Sequence, residues 1–520
     1  MSRTWGLSSR IGRRLIVGFS FAVTLLLILA IWPAPTQPTF PETFGPLPEG
    51  TVAAQPSTTV TTTTTTSTVP PYDGWVDPSS SGQPWGTAVE GLLTFRGNPT
   101  RTYYGKGPVP NDPEVVWRFP DSPMCSQSSV GQEAITWCGS GWTGQPAVFE
   151  RDGRTWVAVG AYSRNVHFLD MADGQRLLPD FRTEDIIKGS VTIDPDGYPL
   201  LYTGSRDNYY RVIAFDRDEP LELWALHAND VSPTKWNNDW DGAGLILDDY
   251  LFIGGENSQF HIVKLNRGYD ADGRVTVAPQ LVFNTPGWDD DLVNAVGGNV
   301  SIENSVAISG NTVYFANSGG LIQGWDLSGL AEGIAPTRVF RYWAGDDVDA
   351  SLVIDDEGML YAGVEYERGN ARSREVGQII KLDPTKPAEQ ARIWGVDERP
   401  RLDSGVWATP AIYRDVLIVP TDTGDVLGLD RFSGEELWRL DLPGPTWSSP
   451  VVVDDVLVQG DCSGVLRGFD VADVRVKPTQ LWAVELGGCI ESTPALWKGR
   501  IVVGTRAGYI YAVGDRPTSN

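Results

Sequence analysis

Chemistry in this chain could arise at eight recurring positions, each two residues before the start of a short repeated opener. They hold Thr143, Lys188, Asp241, Glu303, Asp349, Trp407, Trp447 and Glu491. Asp241, Glu303 and Asp349 belong to consecutive repeats, and Asn304 follows Glu303 directly. Side-chain oxygens of this kind are the ligands that Ca²⁺ prefers. We predict that these residues line one binding site, with Ca²⁺ at the three acids as one occupant. Because Asp and Asn also favour turns, solvated loop ends are the alternative.

The openers determine the fold. They are Gln145-Pro146-Ala147, Ser190-Val191-Thr192, Ala243-Gly244-Leu245, Ser305-Val306-Ala307, Ser351-Leu352-Val353, Thr409-Pro410-Ala411, Ser449-Pro450-Val451 and Thr493-Pro494-Ala495, spaced 40 to 62 residues apart. Between them, short β-branched and aromatic runs alternate with turn residues. Repeats of this length built from strands are typical of propellers with one blade each. The sequence predicts an all-β, eight-bladed β-propeller of four-stranded antiparallel blades, with the openers around a central channel.

The last repeat supplies only three strands, and a matching fourth lies before the first repeat. Residues 114–119 resemble the strands that end at Trp224, Trp394, Trp438 and Trp482. Pairing this segment into blade eight would close the ring and leave no open edge within it. We therefore predict closure in blade eight and expect a truncation of residues 72–112 to leave a folded domain.

One motif carries a family resemblance. Residues 428–438 (Gly-Leu-Asp-Arg-Phe-Ser-Gly-Glu-Glu-Leu-Trp) resemble the Ala-x-Asp-x-x-Thr-Gly-x-x-x-Trp repeat of quinoprotein-like, PQQ-repeat propellers, and residues 214–224, 168–178 and 468–482 keep parts of it. Physically, the Asp caps a turn, the Gly supplies positive φ and the Trp stacks between sheets. We predict structural roles for Trp117, Trp224, Trp394, Trp438 and Trp482.

The resemblance implies one of two functions. PQQ-dependent dehydrogenases of this family hold Ca²⁺ beside the quinone, whereas other members are non-catalytic scaffolds. The sequence has no adjacent Cys pair to cover a quinone and no Cys-x-x-Cys-His haem motif. We predict a protein- or ligand-binding scaffold with no catalytic residues and no cofactor. A PQQ- and Ca²⁺-dependent quinoprotein oxidoreductase is the alternative.

The N-terminal region predicts a membrane anchor. Four Arg residues precede an uncharged apolar run at 15–32, which is long enough to span a bilayer. Residues 33–71 are rich in Pro and Thr and cannot bury a core. We predict a cytoplasmic basic tail (1–14), a single-pass signal anchor (15–32), a disordered stalk (33–71), a lead-in segment (72–113) and an extracytoplasmic propeller (114–515). A cleaved signal peptide is the alternative to the anchor.

The charge of the chain excludes one class of partner. The net charge is −25, and because the first 40 residues carry four Arg and no acid, the other 480 carry −29. Nucleic acids are bound through Lys and Arg, so such a domain would repel them. We predict a protein partner and no nucleic acid.

The four cysteines predict two disulfides. Cys125 and Cys138 share one long connection into blade one. Cys462 lies in the turn between strands two and three of blade seven, and Cys489 precedes the inner strand of blade eight, so both emerge on one face. We predict Cys125–Cys138 and Cys462–Cys489 bonds, as suits an extracytoplasmic domain. Metal ligation is the alternative, although the chain has only three His and no Cys-x-x-Cys.

Overall fold

The structure is a computed structural model that describes residues 72–130, 133–142 and 144–516. The predicted tail, anchor and stalk lie outside the described residues, as does Thr143. Within the described ranges, no helix is both long enough and apolar enough to cross a membrane.

Eight blades form a propeller, each from four antiparallel strands, as the sequence predicts. The strands of the first four blades are Ala147–Arg151, Arg154–Ala161, Asn165–Asp170 and Phe181–Arg182; Thr192–Ile193, Leu200–Gly204, Tyr209–Ala214 and Leu221–His227; Leu245–Leu247, Tyr250–Gly254, Gln259–Lys264 and Gln280–Pro286; Ala307–Ser309, Thr312–Phe315, Leu321–Asp326 and Thr337–Trp343. Blades five to seven are Val353–Ile354, Leu360–Gly363, Ile379–Leu382 and Arg392–Val396; Ala411–Tyr413, Val416–Pro420, Asp425–Asp430 and Glu436–Asp441; Val451–Val453, Val456–Gly460, Val465–Asp470 and Thr479–Glu485.

Blade eight closes the ring with a strand from the start of the propeller. Ala495–Trp497, Arg500–Thr505 and Tyr509–Asp515 are joined by Pro113–Phe119 as the outer strand. The register runs from Pro113 opposite Asp515 to Phe119 opposite Ile510. The predicted closure is confirmed.

The second strands of the blades are apolar and covered on both faces. Leu200–Gly204 and Val416–Pro420 are buried along their whole length. Their β-branched and aromatic side chains pack against neighbouring sheets, which is why these strands show no polar alternation. Outer strands such as Thr479–Glu485 do alternate, because one face meets solvent.

The lead-in is part of the core, contrary to the expectation that residues 72–112 are dispensable. Residues 90–106, which we call the channel segment, run through the centre of the ring and include the short strands Gly91–Leu92 and Gly105–Lys106. The segment makes hydrogen bonds to every blade, through Glu150, Ile193, Ala243, Ile308, Ile354, Ile412, Pro450 and Lys498 in blade order. Deleting residues 72–112 would therefore remove the segment that fills the channel.

Two arginines of the channel segment are completely buried. Arg96 and Arg101 are 0% exposed. Arg96 donates to the carbonyl oxygens of Pro450 and Pro410, and Arg101 donates to that of Val306 at 2.8 Å. These acceptors lie where inner strands begin, so the guanidinium groups satisfy carbonyls that the sheets leave unpaired. Sequence reasoning placed both residues outside the propeller.

Short helices and two-stranded pairs lie outside the four-stranded blades. They are the 3₁₀ turn Pro78–Ser80, the helices Asp290–Val296, Ala371–Val376 and Ala388–Ala391, and the strand pairs Cys125–Val130 with Glu133–Cys138, Gly268–Tyr269 with Val275–Thr276, and Glu365–Tyr366 with Ser404–Gly405. Both predicted disulfides, Cys125–Cys138 and Cys462–Cys489, are confirmed. The first joins two strands of a hairpin where the sequence suggested only a long connection.

Candidate functional site

The openers form a hydrogen-bonded belt around one end of the channel, which we call the mouth. The hydroxyl of Ser305 accepts from the backbone N–H of Ala243 at 2.9 Å, and Ser351 accepts in the same way from Ser305. Thr409 continues the pattern by accepting from the N–H of Ser351 at 2.9 Å. Because each opener holds the preceding one, residues two positions upstream follow one another around the mouth in chain order.

The first acidic cluster contains Asp241, Glu256 and Glu303. Each offers a carboxylate oxygen, and these oxygens lie within 4.8 Å of one another. All three side chains are buried, with exposed fractions of 1 to 3%. Lys188 forms an ion pair with Asp241, and its Nζ lies 3.5 Å from Oε1 of Glu256. An ammonium group therefore lies among these carboxylates.

Burial has the largest effect on the pKa values of the carboxyl groups in and beside this cluster. Loss of hydration, reinforced by the charge of Asp241, raises the pKa of Glu256 to about 7. Burial also raises the pKa of Asp239 to about 6, although Arg206 partly opposes it through a 2.5 Å contact. Burial lowers the pKa of Lys188, but the carboxylates of Asp241, Glu256 and Glu303 together outweigh it and hold that pKa above its usual value.

A second cluster contains Asp347, Asp349 and Glu365, with ligand oxygens again within 4.8 Å of one another. Arg368 approaches Asp347 only to 3.9 Å and lies closer, at 3.2 Å, to Asp346. Neither carboxylate oxygen of Asp347 accepts a hydrogen bond from the described residues. Burial, followed by the charge of Asp349, raises the pKa of Asp347 well above its usual value. This cluster thus requires a proton or a cation.

The structure divides the predicted acid site in two. It places Asp241 with Glu303 in the first cluster and Asp349 in the second. Asp347 lies two residues before Asp349 and was expected beside it, whereas Glu256 and Glu365 were not predicted. Glu256 follows the second strand of blade three and Glu365 that of blade five, where the chain returns to the mouth. The sequence contained the information needed to find Glu256 and Glu365, because the turns after second strands and the openers emerge on the same face of a propeller.

Other predicted mouth residues have defined partners. The amide of Asn304 donates to the carbonyls of Ala316 and Val348 at 2.9 and 2.8 Å, so it links loops of blades four and five. Glu491 pairs with Arg506 at 3.1 Å. The structure uses both side chains to tie neighbouring loops together.

Trp407 and Trp447 form an aromatic pair at the mouth, in the two blades that follow the acids around the ring. Their ring centroids are 5.0 Å apart at an interplanar angle of 30°. The indole of Trp447 donates to Asp422 at 2.8 Å, which fixes its orientation. Both rings are half-buried. Aromatic residues held rigidly and partly exposed are common anchors at protein interfaces.

Three of the predicted structural tryptophans dock on the next blade around the ring. The indole N–H groups of Trp117, Trp394 and Trp438 donate to the carbonyls of Met171, Arg431 and Val474. A Cβ on Gly174 would approach the Trp117 ring to 2.8 Å, so the motif glycine leaves room for the indole. Trp482 covers Gly468 within its own blade, and Trp224 packs half-buried against the core.

Comparisons with known proteins agree with this architecture. A family model described as "Outer membrane protein assembly factor BamB" matches residues 376–516. The curated BamB of Nitrosomonas eutropha is 27% identical over 134 residues, which are 26% of this chain and only 27% of that protein. The match thus covers about a quarter of either protein.

Solved structures share the fold across most of the chain. Quinohemoprotein alcohol dehydrogenase from Comamonas testosteroni superposes with a TM-score of 0.53 and 14% identity over 83% of this chain and 82% of its own. A europium-containing methanol dehydrogenase gives 0.55 and 12% identity over 82% and 98%. At these identities the likeness concerns the fold alone. Together with the repeat motif, these findings agree on a propeller built from PQQ-type repeats.

Proposed function

We propose that the protein is a non-catalytic scaffold that binds a protein partner at the mouth of an extracytoplasmic, membrane-anchored propeller. One observation carries the proposal: the ammonium group of Lys188 lies between Asp241 and Glu256. A cation-dependent quinoprotein would need carboxylates of this kind for its metal, and here the ammonium group of Lys188 pairs with Asp241 instead. The name of the BamB relative, an outer membrane protein assembly factor, supports an assembly role.

The partner surface would centre on the half-buried Trp407–Trp447 pair, because the acids of the mouth are buried. Aromatic anchors supply binding energy through burial, whereas acidic residues favour a partner of positive charge and repel acidic ones. The net charge of −25 extends this preference over long range.

Crosslinking from the mouth tests the scaffold function. A photocrosslinking residue at Trp407 in the full-length chain should capture one dominant protein in cells, and Trp447→Ala should reduce its yield. The same crosslinker at Leu481, exposed on an outer strand, is the control for random encounter. Equal capture from both positions would contradict a partner site at the mouth.

A turnover assay separates the scaffold from the oxidoreductase alternative. Detergent-solubilised full-length protein with PQQ, Ca²⁺, an alcohol or sugar and an artificial electron acceptor should give no turnover. Reduction of the acceptor that disappears with Asp349→Asn would overturn the scaffold proposal.

The second acidic cluster favours one further candidate function, binding of Ca²⁺. Its support is Asp347, which is completely buried with no hydrogen-bond donor to its carboxylate among the described residues. Ca²⁺ at 100 times its Kd would stabilise the fold by about 2.7 kcal/mol. Ca²⁺ should then raise the Tm of the wild type but not of Asp347→Asn, whereas Asp356→Asn, an exposed change far from the mouth, should respond like the wild type. No shift would remove this candidate.

The membrane anchor is part of the proposal and rests on the apolar run at 15–32. Cell fractionation should place the full chain in the membrane and a chain lacking residues 15–32 outside it. Digestion of intact spheroplasts should degrade the propeller only if it lies on the extracytoplasmic side.

A further inference from the structure

A cavity of about 600 Å³ opens on the face opposite the mouth. Its walls come from the lead-in, including Thr102 and Tyr103, and from the first turns of blades five, six and seven. Those turns contribute Asp356, Tyr413 and Asp454. A volume of this size is typical of small-molecule sites in proteins. Nothing in the scaffold function uses it.

The polar groups around the cavity are held in fixed positions. Oγ1 of Thr102 accepts from the backbone N–H of Gly82 at 2.8 Å, and the Tyr104 hydroxyl accepts from that of Ile412 at the same distance. Ser81 donates to the carbonyl of Ile354 at 2.9 Å. A wall fixed in this way loses little side-chain entropy when a ligand binds.

The charges at the cavity are largely paired within the protein. Arg431 lies 3.5 Å from Asp355 and 3.3 Å from Asp356, and Arg414 lies 2.6 Å from Asp455. A strongly charged ligand would have to compete with these ion pairs, so the cavity favours a neutral one. Paired carboxylates and guanidinium groups keep spare lone pairs and N–H groups for further hydrogen bonds.

The remaining wall offers hydroxyl groups and aromatic carbon. Ser79, Ser81 and Thr102 contribute hydroxyl oxygens that can accept, Tyr103 contributes a ring and a phenol group, and Tyr413, whose hydroxyl donates to Asp455, contributes its ring. Burial raises the pKa of Tyr103 to about 12, so its hydroxyl remains a donor at neutral pH. Donors and acceptors beside apolar ring surface complement a molecule with many hydroxyls and weakly apolar C–H faces.

We propose that this cavity binds a neutral oligosaccharide of two to four sugar units. Asp356 and Asp454 accept hydrogen bonds from neighbouring sugar hydroxyls, and the tyrosine rings pack against C–H faces. The site lies on the opposite face from the mouth, so a bound oligosaccharide would not occupy the partner surface.

Titration calorimetry on the full-length chain tests the site. The detergent must be a polyoxyethylene, because maltoside detergents are themselves oligosaccharides. The neutral probes are maltotriose, cellotriose, mannotriose and triacetylchitotriose, and the charged probes are trigalacturonate and trilysine. We expect at least one neutral trisaccharide to bind and both charged probes to bind more weakly. Binding of none of the neutral probes, or tighter binding of a charged one, would overturn the proposal.

Matched variants locate the binding. Asp454→Asn combined with Asp356→Asn should weaken the best neutral probe by about tenfold or more, the effect expected when hydrogen bonds to charged groups are lost. Asp454 has φ of 47°, a conformation that Asn tolerates. Asp248→Asn is the control, because Asp248 occupies the corresponding turn of blade three with φ of 46°. Equal affinity in the double variant and the control would show that the sugar binds elsewhere.

Discussion

At the scale of single residues, the mouth is defined by buried charge and its compensation. Asp241, Glu256 and Glu303 are removed from water, which is costly unless each charge is paired or protonated. Lys188 supplies the pairing in the first cluster, and the raised pKa of Glu256 shows that a proton supplies part of the rest.

Replacing Lys188 with Met should destabilise the fold. The substitution keeps an unbranched side chain only one atom shorter than Lys but leaves the buried carboxylate of Asp241 without its cation. Breaking a buried ion pair on one side typically costs about 3 to 5 kcal/mol. Urea unfolding followed by tryptophan fluorescence should show the loss, and Lys188→Met combined with Asp241→Asn should recover part of it. A single variant as stable as wild type would mean that the pair contributes nothing.

Stability should depend on pH through Asp239 and Glu256. Unfolded carboxyls lose their protons near pH 4, whereas in the fold these two keep them to about 6 and about 7. The folded state binds more protons in that window, so these groups make the free energy of unfolding fall as pH rises from about 4 to 7. Burial lowers the pKa of His261 to about 4, which gives the opposite slope below about pH 6.5. Urea titrations at several pH values should show that Glu256→Gln removes its own contribution; identical pH profiles would contradict it.

At the scale of elements, ring closure depends on the strand Pro113–Phe119. Trp117 anchors this strand by docking on blade one, where its indole donates to Met171 at 2.8 Å. The strand thus joins the two ends of the propeller through main-chain pairing on one side and one large side chain on the other.

Trp117→Ala should lower the free energy of unfolding by about 3 to 5 kcal/mol, because it removes a buried aromatic side chain and leaves a cavity. Val115→Ala on the same strand is the matched control, since Val115 is 38% exposed. Differential scanning calorimetry should show a large fall in Tm for the first variant and little change for the second. Similar values for the two would show that Trp117 does not anchor the closure.

At the scale of the whole molecule, the channel segment connects all eight blades. Arg96→Leu should destabilise the fold by about 3 kcal/mol or more, because the carbonyls of Pro410 and Pro450 would lose their donor in a buried place. Arg118→Leu, an exposed change on the closing strand, is the control. Chemical denaturation of both proteins gives the comparison; an Arg96 variant as stable as its control would contradict the central role of the segment.

The features of the fold that could be predicted correctly from the sequence are those that its repeats encode. The spacing of the openers predicted the number of blades, and the segment at residues 114–119 predicted the closure of the ring. The turn positions of Cys462 and Cys489 predicted the disulfide between them. The channel segment has no internal repeat, and Arg96 and Arg101 resemble surface residues until the closed ring provides carbonyls for them. Glu256 and Glu365 join the acids only because the chain after the second strand of a blade meets the opener of that blade at the mouth, and the sequence alone does not show that contact.

The position of the channel segment also has a consequence for the order of assembly. Residues 90–106 leave the ribosome before any blade, and they carry hydrogen-bonding groups for each blade in turn. Blades made later can therefore add to a core strand that is already present, and N-terminal parts of a chain generally fold first during synthesis. The closing strand must wait for blade eight, so Pro113–Phe119 remains unpaired until nearly the whole propeller has been made. During that interval its exposed edge is open to mispairing, and a nascent chain stalled before residue 509 would be the form most prone to aggregate.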